Sequence, residues 1–353
     1  MAYTVKGAAF RYNGAIDVSD CKTSLEVMQK SGLDWNVQKC RVFAEMTPNE
    51  EYEKPNSRDN FLLNLGGDKV NLSVVPNSYG IYRTDYNIPL GLVKERYEPV
   101  QNVDAFKFFD EAVGLDEALY QTAGYFGNGE RIFVSAKLPD DIYIKNRDVV
   151  ENYLVFTSSH DGTSGVKILF TNIRVICQNT LNAAIRDASN YVSFRHTKSV
   201  HSNIDIAKEI LGICKTKRET AANIYSLLAN CPVNDNAALD IFGSIVLSDN
   251  EIATLKSTGH TIKEVANRYW FAIDAAKIST QKVNILENMV RYYHTGPGQK
   301  EFEGTGWGVV NAVSGYYCNI DNSEGVKRMD SLLYGDKNNK INKAMLSALS
   351  MAG

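Results

Sequence analysis

The residues best suited to chemistry in this chain lie between positions 160 and 218, where cations and aromatic rings are concentrated. This segment holds nine lysines and arginines against four acids, a local net charge of +5 in a chain whose net charge is −3. Three of the five histidines, His160, His196 and His201, lie there as well. A basic field within an acidic protein attracts phosphates. A solvated surface with a chance excess of cations is the alternative interpretation.

The strongest candidates lie within or close to residues 174–181 (RVICQNTL) and 194–198 (FRHTK). Cationic and amide side chains there can contact phosphates, aromatic rings can stack on bases, and a helix N-terminus predicted near 178–180 would favour an anion. The predicted nucleic-acid-binding residues are Lys167, Arg174, Gln178, Asn179, Tyr191, Phe194, Arg195, His196 and Lys198. Alternatively, Tyr191 and Phe194 are core residues, Asn179 only caps a helix, and His196 is a buried structural residue.

Other kinds of site have weaker signals. Residues 304–308 are glycine-rich, but no Gly-Lys-Ser/Thr follows and no βαβ unit precedes them, which favours a tight turn. The pair His160 and Asp161, and the set His196, His201 and Asp205, match neither a closed zinc site nor a facial triad. We therefore predict no catalytic residues, no metal, no cofactor and no enzymatic activity. A metal-dependent nucleic-acid enzyme using those histidines remains an alternative.

The cysteines and the hydropathy pattern bear on the cellular compartment. The six cysteines are scattered along the sequence and include no CxxC pair. Cys177 follows the apolar residues Val175 and Ile176, a context typical of a small buried residue. The sequence shows no signal peptide at its N-terminus and no apolar run near the roughly 20 residues that span a membrane. These features predict a cytoplasmic protein with reduced thiols and no membrane association.

The sequence around the candidate residues predicts a series of strands followed by a helix. Strands are predicted at 131–138 and 153–157, and Asp161-Gly162 supplies hairpin turn chemistry before strands at 166–170 and 173–176. A helix is predicted over 180–188, with apolar residues on one face. The pattern predicts an α+β fold: an antiparallel sheet with a β-hairpin and a packed helix in the central region, and a helical C-terminal third.

The flanking regions complete the predicted organisation. Residues 1–110 look strand-rich, with a helix at 24–31, a buried strand at 89–93 and Asn102 capping a helix over 103–113. After Asn203 the periodicity becomes helical, with a long stretch over 262–293 that is broken near Ser279 and ended by Gly296. Further helices are predicted at 307–317 and 342–349. We predict two domains, 1–203 and 204–353.

The motifs taken together resemble the phage/plasmid-like proteins, a family of unknown function. The resemblance rests on 174–181 with 195–197, and on 32–37, 90–93, 97–102, 122–124, 153–154, 160–162, 304–307 and 311–313. Residues 88–90 (IPL) are more apolar than a plain surface turn would be. The resemblance implies a product of tailed phages, prophages or conjugative plasmids, which handle single-stranded DNA, and it brings no catalytic residues with it.

The sheet-then-helix core is also similar to the β-β-β-α unit of RecT/beta-type single-strand annealing proteins, although a fold does not determine a function. We therefore expect a homo-oligomer, in a ring or filament, that binds single-stranded DNA and anneals it without ATP in recombination or replication. The alternatives are a phage protein that modulates a host enzyme or defence system, and the metal-dependent enzyme.

Overall fold

The computed structural model describes residues 15–46, 60–65, 68–104, 106, 118–174, 179–181, 191–194, 204–323 and 325–351. Within these ranges the chain has the predicted α+β architecture, with antiparallel sheets and helices concentrated in the C-terminal third. The strands are β1 (Ile16–Asp17), β2 (Val37–Met46), β3 (Asn60–Leu65), β4 (Asp68–Arg83), β5 (Ile88–Val93), β6 (Leu119–Phe126), β7 (Arg131–Lys137), β8 (Ile142–Ile144), β9 (Asp148–Ser159), β10 (Val166–Arg174), β11 (Asn179–Leu181) and β12 (Tyr191–Phe194).

The described helices mostly follow the sheets in the chain. They are α1 (Ser24–Ser31), α2 (Ile204–Asn230), α3 (Asp235–Val246), α4 (Asp249–Ser257), α5 (Ile262–Ala266), α6 (Trp270–Ala275), α7 (Thr280–Thr295), α8 (Gly306–Gly315), α9 (Gly325–Leu333) and α10 (Asp336–Leu349). A π-helical turn, Tyr316–Ile320, continues α8.

Two antiparallel sheets contain the described strands. The larger runs in the order β1-β6-β7-β9-β10-β11, with β8 paired to β9 and β12 paired to β10. The smaller runs β2-β4-β3, with β5 paired to β4. The predicted hairpin is β9 and β10, and its turn contains Gly162 at φ +78, a conformation that glycine adopts without steric cost.

Strand β10 corrects one prediction. The sequence suggested separate strands at 166–170 and 173–176, but a single strand covers Val166–Arg174. The polar residues that seemed to interrupt it are buried: Thr171 is fully enclosed, and Asn172 donates to Asn152 Oδ1 at 2.5 Å and accepts from Tyr225 Oη at 3.0 Å. Polar partners inside the fold thus allow the strand to continue.

The start of the predicted helix over 180–188 is also wrong. Residues 180 and 181 belong to β11, which pairs antiparallel with the end of β10. Residues 182–188 lie outside the described residues.

Three hydrophobic clusters fill the interior of the described chain. The N-terminal segment around α1 and Trp35 covers one face of the larger sheet, where it packs against residues such as Phe156 and Ile168. Helix α9 covers part of the other face through Met329 and Leu333. The largest cluster surrounds Trp307 among the C-terminal helices, and it includes Ile142, Ile144 and Val150 of the β8–β9 hairpin.

The predicted long helix over 262–293 divides into α5, α6 and α7. The break at Ser279 was predicted, since the Ser279 hydroxyl accepts from the backbone N–H of Lys282 and caps α7. A second break between α5 and α6 was not predicted. There Arg268 adopts φ +61, the left-handed conformation that ends a helix.

Candidate nucleic-acid interface

Strands β11 and β12 both pair with β10 on the side away from β9, and the three strands together form what we name the β10–β12 edge. Antiparallel pairing makes Arg174 the register partner of Asn179 at one end. Towards the other end, β12 pairs with the first half of β10, so that Lys167, Tyr191 and Phe194 lie within one ladder. The fold therefore gathers five of the nine predicted contact residues on three strands, β10 and the two strands that pair with it.

The other four predicted residues, Gln178, Arg195, His196 and Lys198, lie outside the described residues, as do Cys177 and His201. Among the five that are described, the register separates the two stacking candidates. Tyr191 pairs with Leu169, which packs with α9, whereas Phe194 pairs with Val166, which packs with the N-terminal segment. Since paired residues share a face, positions 191 and 194 belong to opposite faces of the sheet.

Lys167 lies in a more enclosed environment than an exposed phosphate contact requires. Its Nζ atom is 3.7 Å from the centroid of the Tyr334 ring, in a cation–π arrangement. Burial lowers the pKa of Lys167, and the Arg131 guanidinium lowers it further against the opposing effect of Asp330. Lys167 is thus engaged with α9, and we expect it to contribute less to phosphate binding than a free lysine.

A charged hydrogen-bond network ties α9 to the same sheet face. The buried Arg131 guanidinium donates through Nη1 to both carboxylate oxygens of Asp330, at 2.9 and 3.1 Å, and lies 3.3 Å from Tyr334 Oη. Tyr334 also donates to Asp330. Burial, together with the hydrogen bond to Asp330, raises the pKa of Tyr334 above its usual range. The network holds the tyrosine ring over Lys167.

A second polar group, the His160 cluster, lies buried beneath the N-terminal segment. Asn102 Nδ2 donates to the carbonyls of Leu33, at 3.0 Å, and Trp35, at 3.2 Å. Its Oδ1 therefore faces His160 Nε2, 3.0 Å away, and must accept, which places a proton on Nε2. The Trp35 ring meets the imidazole edge-on at 5.4 Å. The Asn102 side chain thus has a tertiary role, and most of the helix predicted over 103–113 lies outside the described residues.

Further hydrogen bonds and close packing stabilise the same region. Tyr97 donates through its hydroxyl to the Ser159 carbonyl at 3.0 Å, and the Gln101 amide both accepts from and donates to the backbone of Val37 at 3.0 Å. Gly91 packs so closely that a Cβ there would lie 2.5 Å from Asp161 Cα. The motifs at 32–37, 90–93, 97–102 and 160–162 therefore meet in one place, where their residue types are explained by packing and hydrogen bonding.

His160 and Asp161 do not converge on a shared ligand position. Whereas His160 contacts Asn102, the Asp161 carboxylate accepts from Ser159 Oγ at 2.5 Å and from the hydroxyl and N–H of Thr163 at 2.6 and 2.9 Å. Burial raises the pKa of Asp161, but these hydrogen bonds outweigh burial and leave the pKa below its usual value. Within the described ranges, no three His, Cys, Asp or Glu side chains are grouped as metal ligands.

The glycine-rich segment at 304–308 begins a helix, in keeping with the predicted tight turn. Thr305 caps α8 by accepting from the Gly308 N–H, and a Cβ at Gly308 would lie 2.2 Å from the Phe302 carbonyl oxygen. Two residues further in, the buried Trp307 donates through Nε1 to Asp148 Oδ2 at 2.9 Å. This motif joins the helices to the β8–β9 hairpin.

The sequence analysis did not identify one group of exposed aromatic side chains. Tyr269, Trp270 and Phe271, at the start of α6, are 53, 65 and 55% exposed. One continuous helix over 262–293 would distribute three consecutive rings around its circumference. The prediction therefore did not place them together on the surface. The string of three aromatic residues after Arg268 was the available signal.

Comparison with known proteins gives one significant kind of match, a protein-family model. No curated protein and no solved structure matches the chain significantly. In the part of the chain that the structure describes, no helix combines the length and apolar character needed to cross a membrane. A family model, described as a domain of unknown function, matches residues 89–346, most of the chain, and the protein therefore belongs to the DUF932 family.

Proposed function

We propose that the protein binds single-stranded DNA along the β10–β12 edge and anneals complementary strands without ATP. The observation that carries this proposal is the register of the edge, which unites a cation, an amide and two aromatic residues that the sequence had marked independently for phosphate and base contacts. The segment 160–218 that contains the edge has a local net charge of +5.

The arrangement suits a flexible strand. Register partners in an antiparallel pair have α-carbons about 4.5–5.5 Å apart, so positions 174 and 179, an arginine and an asparagine in the sequence, lie side by side at one end of the edge. Aromatic rings stack on any base, which gives affinity without sequence preference. Because positions 191 and 194 lie on opposite faces, we expect one of the two, and not both, to contact a given strand.

The biological context of this proposal comes from the resemblance to phage/plasmid-like proteins. Tailed phages, prophages and conjugative plasmids handle single-stranded DNA during replication and recombination. The antiparallel sheet followed by helices is also similar to the core of RecT/beta-type annealing proteins, and this analogy supports a homo-oligomeric ring or filament.

The test is a titration of a fluorescent oligonucleotide with the protein across a series of salt concentrations. Each cation that neutralises a phosphate adds about 0.7 to the slope of log affinity against log salt for a single strand. We expect Arg174→Ala to flatten the slope by about that amount. Lys167→Gln serves as the matched control, and its effect should be smaller because Lys167 is engaged with Tyr334.

Two results would count against the site. An unchanged slope for Arg174→Ala, with the fold intact by circular dichroism, would remove Arg174 from the interface. A larger slope change for Lys167→Gln than for Arg174→Ala would show that the strand runs over α9 instead. A strand-pairing assay on the same samples then tests annealing separately from binding.

A further inference from the structure

The exposed rings at the start of α6, which we name the α6 aromatic cluster (Tyr269, Trp270 and Phe271), are unusual for a folded protein. Large aromatic side chains are normally buried, and the other two tryptophans, Trp35 and Trp307, are 4% and 0% exposed. The rings of Trp270 and Phe271 lie 4.2 Å apart, centroid to centroid, and are tilted by 36°. They form a compact stacked pair open to solvent.

The charges around this cluster favour an anionic partner. Residues 251–287 hold five lysines and arginines and four acids, a local net charge of +1 against −3 for the chain, and Lys282 pairs with Glu251. Arg268 pairs with Glu287, but no carboxylate pairs with exposed Lys256, Lys263 or Lys277 among the described residues. Cations without partners can neutralise phosphates without first breaking an ion pair.

Two cations bracket α6: Arg268 precedes the aromatic cluster in the sequence, and Lys277 follows the C-terminal end of the helix. Arg268, at φ +61, and Lys277, at φ +51, bracket α6 in the left-handed conformation that usually requires glycine. Both follow helix ends closed by the same hydrogen-bond pattern, in which Tyr269 N–H donates to Glu264 O and Ile278 N–H donates to Ile273 O. Helix α4 ends in this way with Gly259 at φ +77. The chain therefore carries basic side chains at two positions where glycine would be less strained.

We propose that the α6 aromatic cluster is a second contact for single-stranded nucleic acid, in which bases stack on Trp270 or Phe271 while Lys277 binds a flanking phosphate. This inference rests on the proposed function. A protein partner fits less well, because the exposed neighbours in the sequence are polar or charged, as Asn267, Asp274 and Ser279 are. Exposed aromatic rings near a cation that can bind phosphate are a usual arrangement for sequence-tolerant strand binding.

Tryptophan fluorescence provides a direct test, because Trp270 is the exposed member of the three tryptophans. An oligothymidylate labelled at one end is titrated, and its anisotropy and the protein emission are recorded on the same samples. We expect the emission to be quenched as the anisotropy rises. Trp270→Ala should weaken binding roughly 5- to 150-fold, the range for one stacked base. Trp270→Phe should retain most of the affinity but lose the quenching.

Matched variants separate binding from folding. Tyr143→Ala removes a ring of similar exposure, 64%, from β8 and should leave affinity unchanged. Lys277→Gly should flatten the salt slope by about 0.7 while the melting temperature stays equal or rises, since glycine relieves the left-handed strain. An unchanged salt slope for Lys277→Gly would remove this lysine from the contact and overturn that part of the inference.

The possible failures are distinguishable. Binding by anisotropy with unchanged emission and full affinity of Trp270→Ala would overturn the second contact and leave the β10–β12 edge standing. No binding of any oligonucleotide at low salt would overturn the proposed function itself. Emission that responds to protein concentration but not to DNA would identify the cluster as an interface between copies of the chain, and would also overturn the inference.

Discussion

Replacement of Gly91 by alanine tests whether the His160 cluster determines stability. Gly91 lies in β5 against the turn that follows β9, and its close neighbours are backbone atoms. An added Cβ would lie 2.5 Å from Asp161 Cα and 2.6 Å from Asp161 O, whereas ordinary contacts begin at 3.4 Å. Because no flexible side chain can yield, either β5 or the turn must move by about 0.9 Å.

The magnitude follows from what such a shift disturbs. Overpacking of this kind costs about 1–3 kcal/mol. A displaced turn would also weaken the hydrogen bonds from Tyr97 to Ser159 and between His160 and Asn102, each contributing about 1 kcal/mol. Alanine also lowers the conformational entropy of the unfolded chain, which stabilises the folded state by about 0.4–1 kcal/mol. We expect Gly91→Ala to reduce the free energy of unfolding by about 2–4 kcal/mol.

Urea denaturation followed by circular dichroism measures this change, and the m-value checks that the unfolded state is unaffected. Gly32→Ala is the matched control, because Gly32 has φ +65 but nothing within 4 Å of an added Cβ. That variant suffers only the left-handed penalty of about 1–2 kcal/mol. A smaller loss of stability for Gly91→Ala than for Gly32→Ala would refute the packing argument.

Three further substitutions have predicted outcomes. Asp330→Asn leaves the buried Arg131 guanidinium without its carboxylate, and we expect the free energy of unfolding in urea to fall by about 1–3 kcal/mol. This is less than for a fully enclosed pair because Asp330 is 29% exposed, and undiminished stability would contradict the prediction. Asp161 has a lowered pKa, so its charge stabilises the fold above about pH 4 and this contribution is lost as the pH falls through the folded value. The melting temperatures of wild type and Asp161→Asn should therefore converge on acidification, and a constant difference would argue against it. Trp307→Phe deprives Asp148 of a buried donor and opens a cavity, which should cost about 2–4 kcal/mol in the same urea assay, and a loss below 1 kcal/mol would contradict it.

Local patterns predicted the elements that have clear periodicity and clear ends. Helix α1 was predicted over Ser24–Ser31, where Thr23 caps it and Gly32 ends it in the left-handed conformation. The β9–β10 hairpin followed from strand periodicity on each side of Asp161-Gly162. These signals lie within a few residues of the structures that they specify.

The errors arose where distant contacts override local patterns. Thr171 and Asn172 read as a break in a strand, but Asn152 and Tyr225, which lie elsewhere in the sequence, satisfy Asn172 inside the fold. The break after α5 occurs at Arg268, with no glycine or proline to mark it. A cation in the left-handed conformation has no sequence signature, since it depends on the strain that the surrounding structure tolerates.

The candidate site was predictable in composition but not in arrangement. Charge counts and aromatic residues marked the central segment, but the pairing of β11 and β12 with the same side of β10 depends on tertiary register. Likewise, nothing local shows that Trp35, Asn102 and His160 meet, because His160 and its hydrogen-bond partner Asn102 are 58 positions apart in the sequence. Contacts of this range can be found only from the folded chain.

Binding of a fluorescent single-stranded oligonucleotide across a salt series, with mass photometry on the same samples, tests the central claim most directly. We predict tight binding that weakens steeply with salt, by an oligomer much larger than the 39.3 kDa chain. A well-folded protein that binds no oligonucleotide at low salt would contradict the account, and the protein-interaction hypothesis would then take its place.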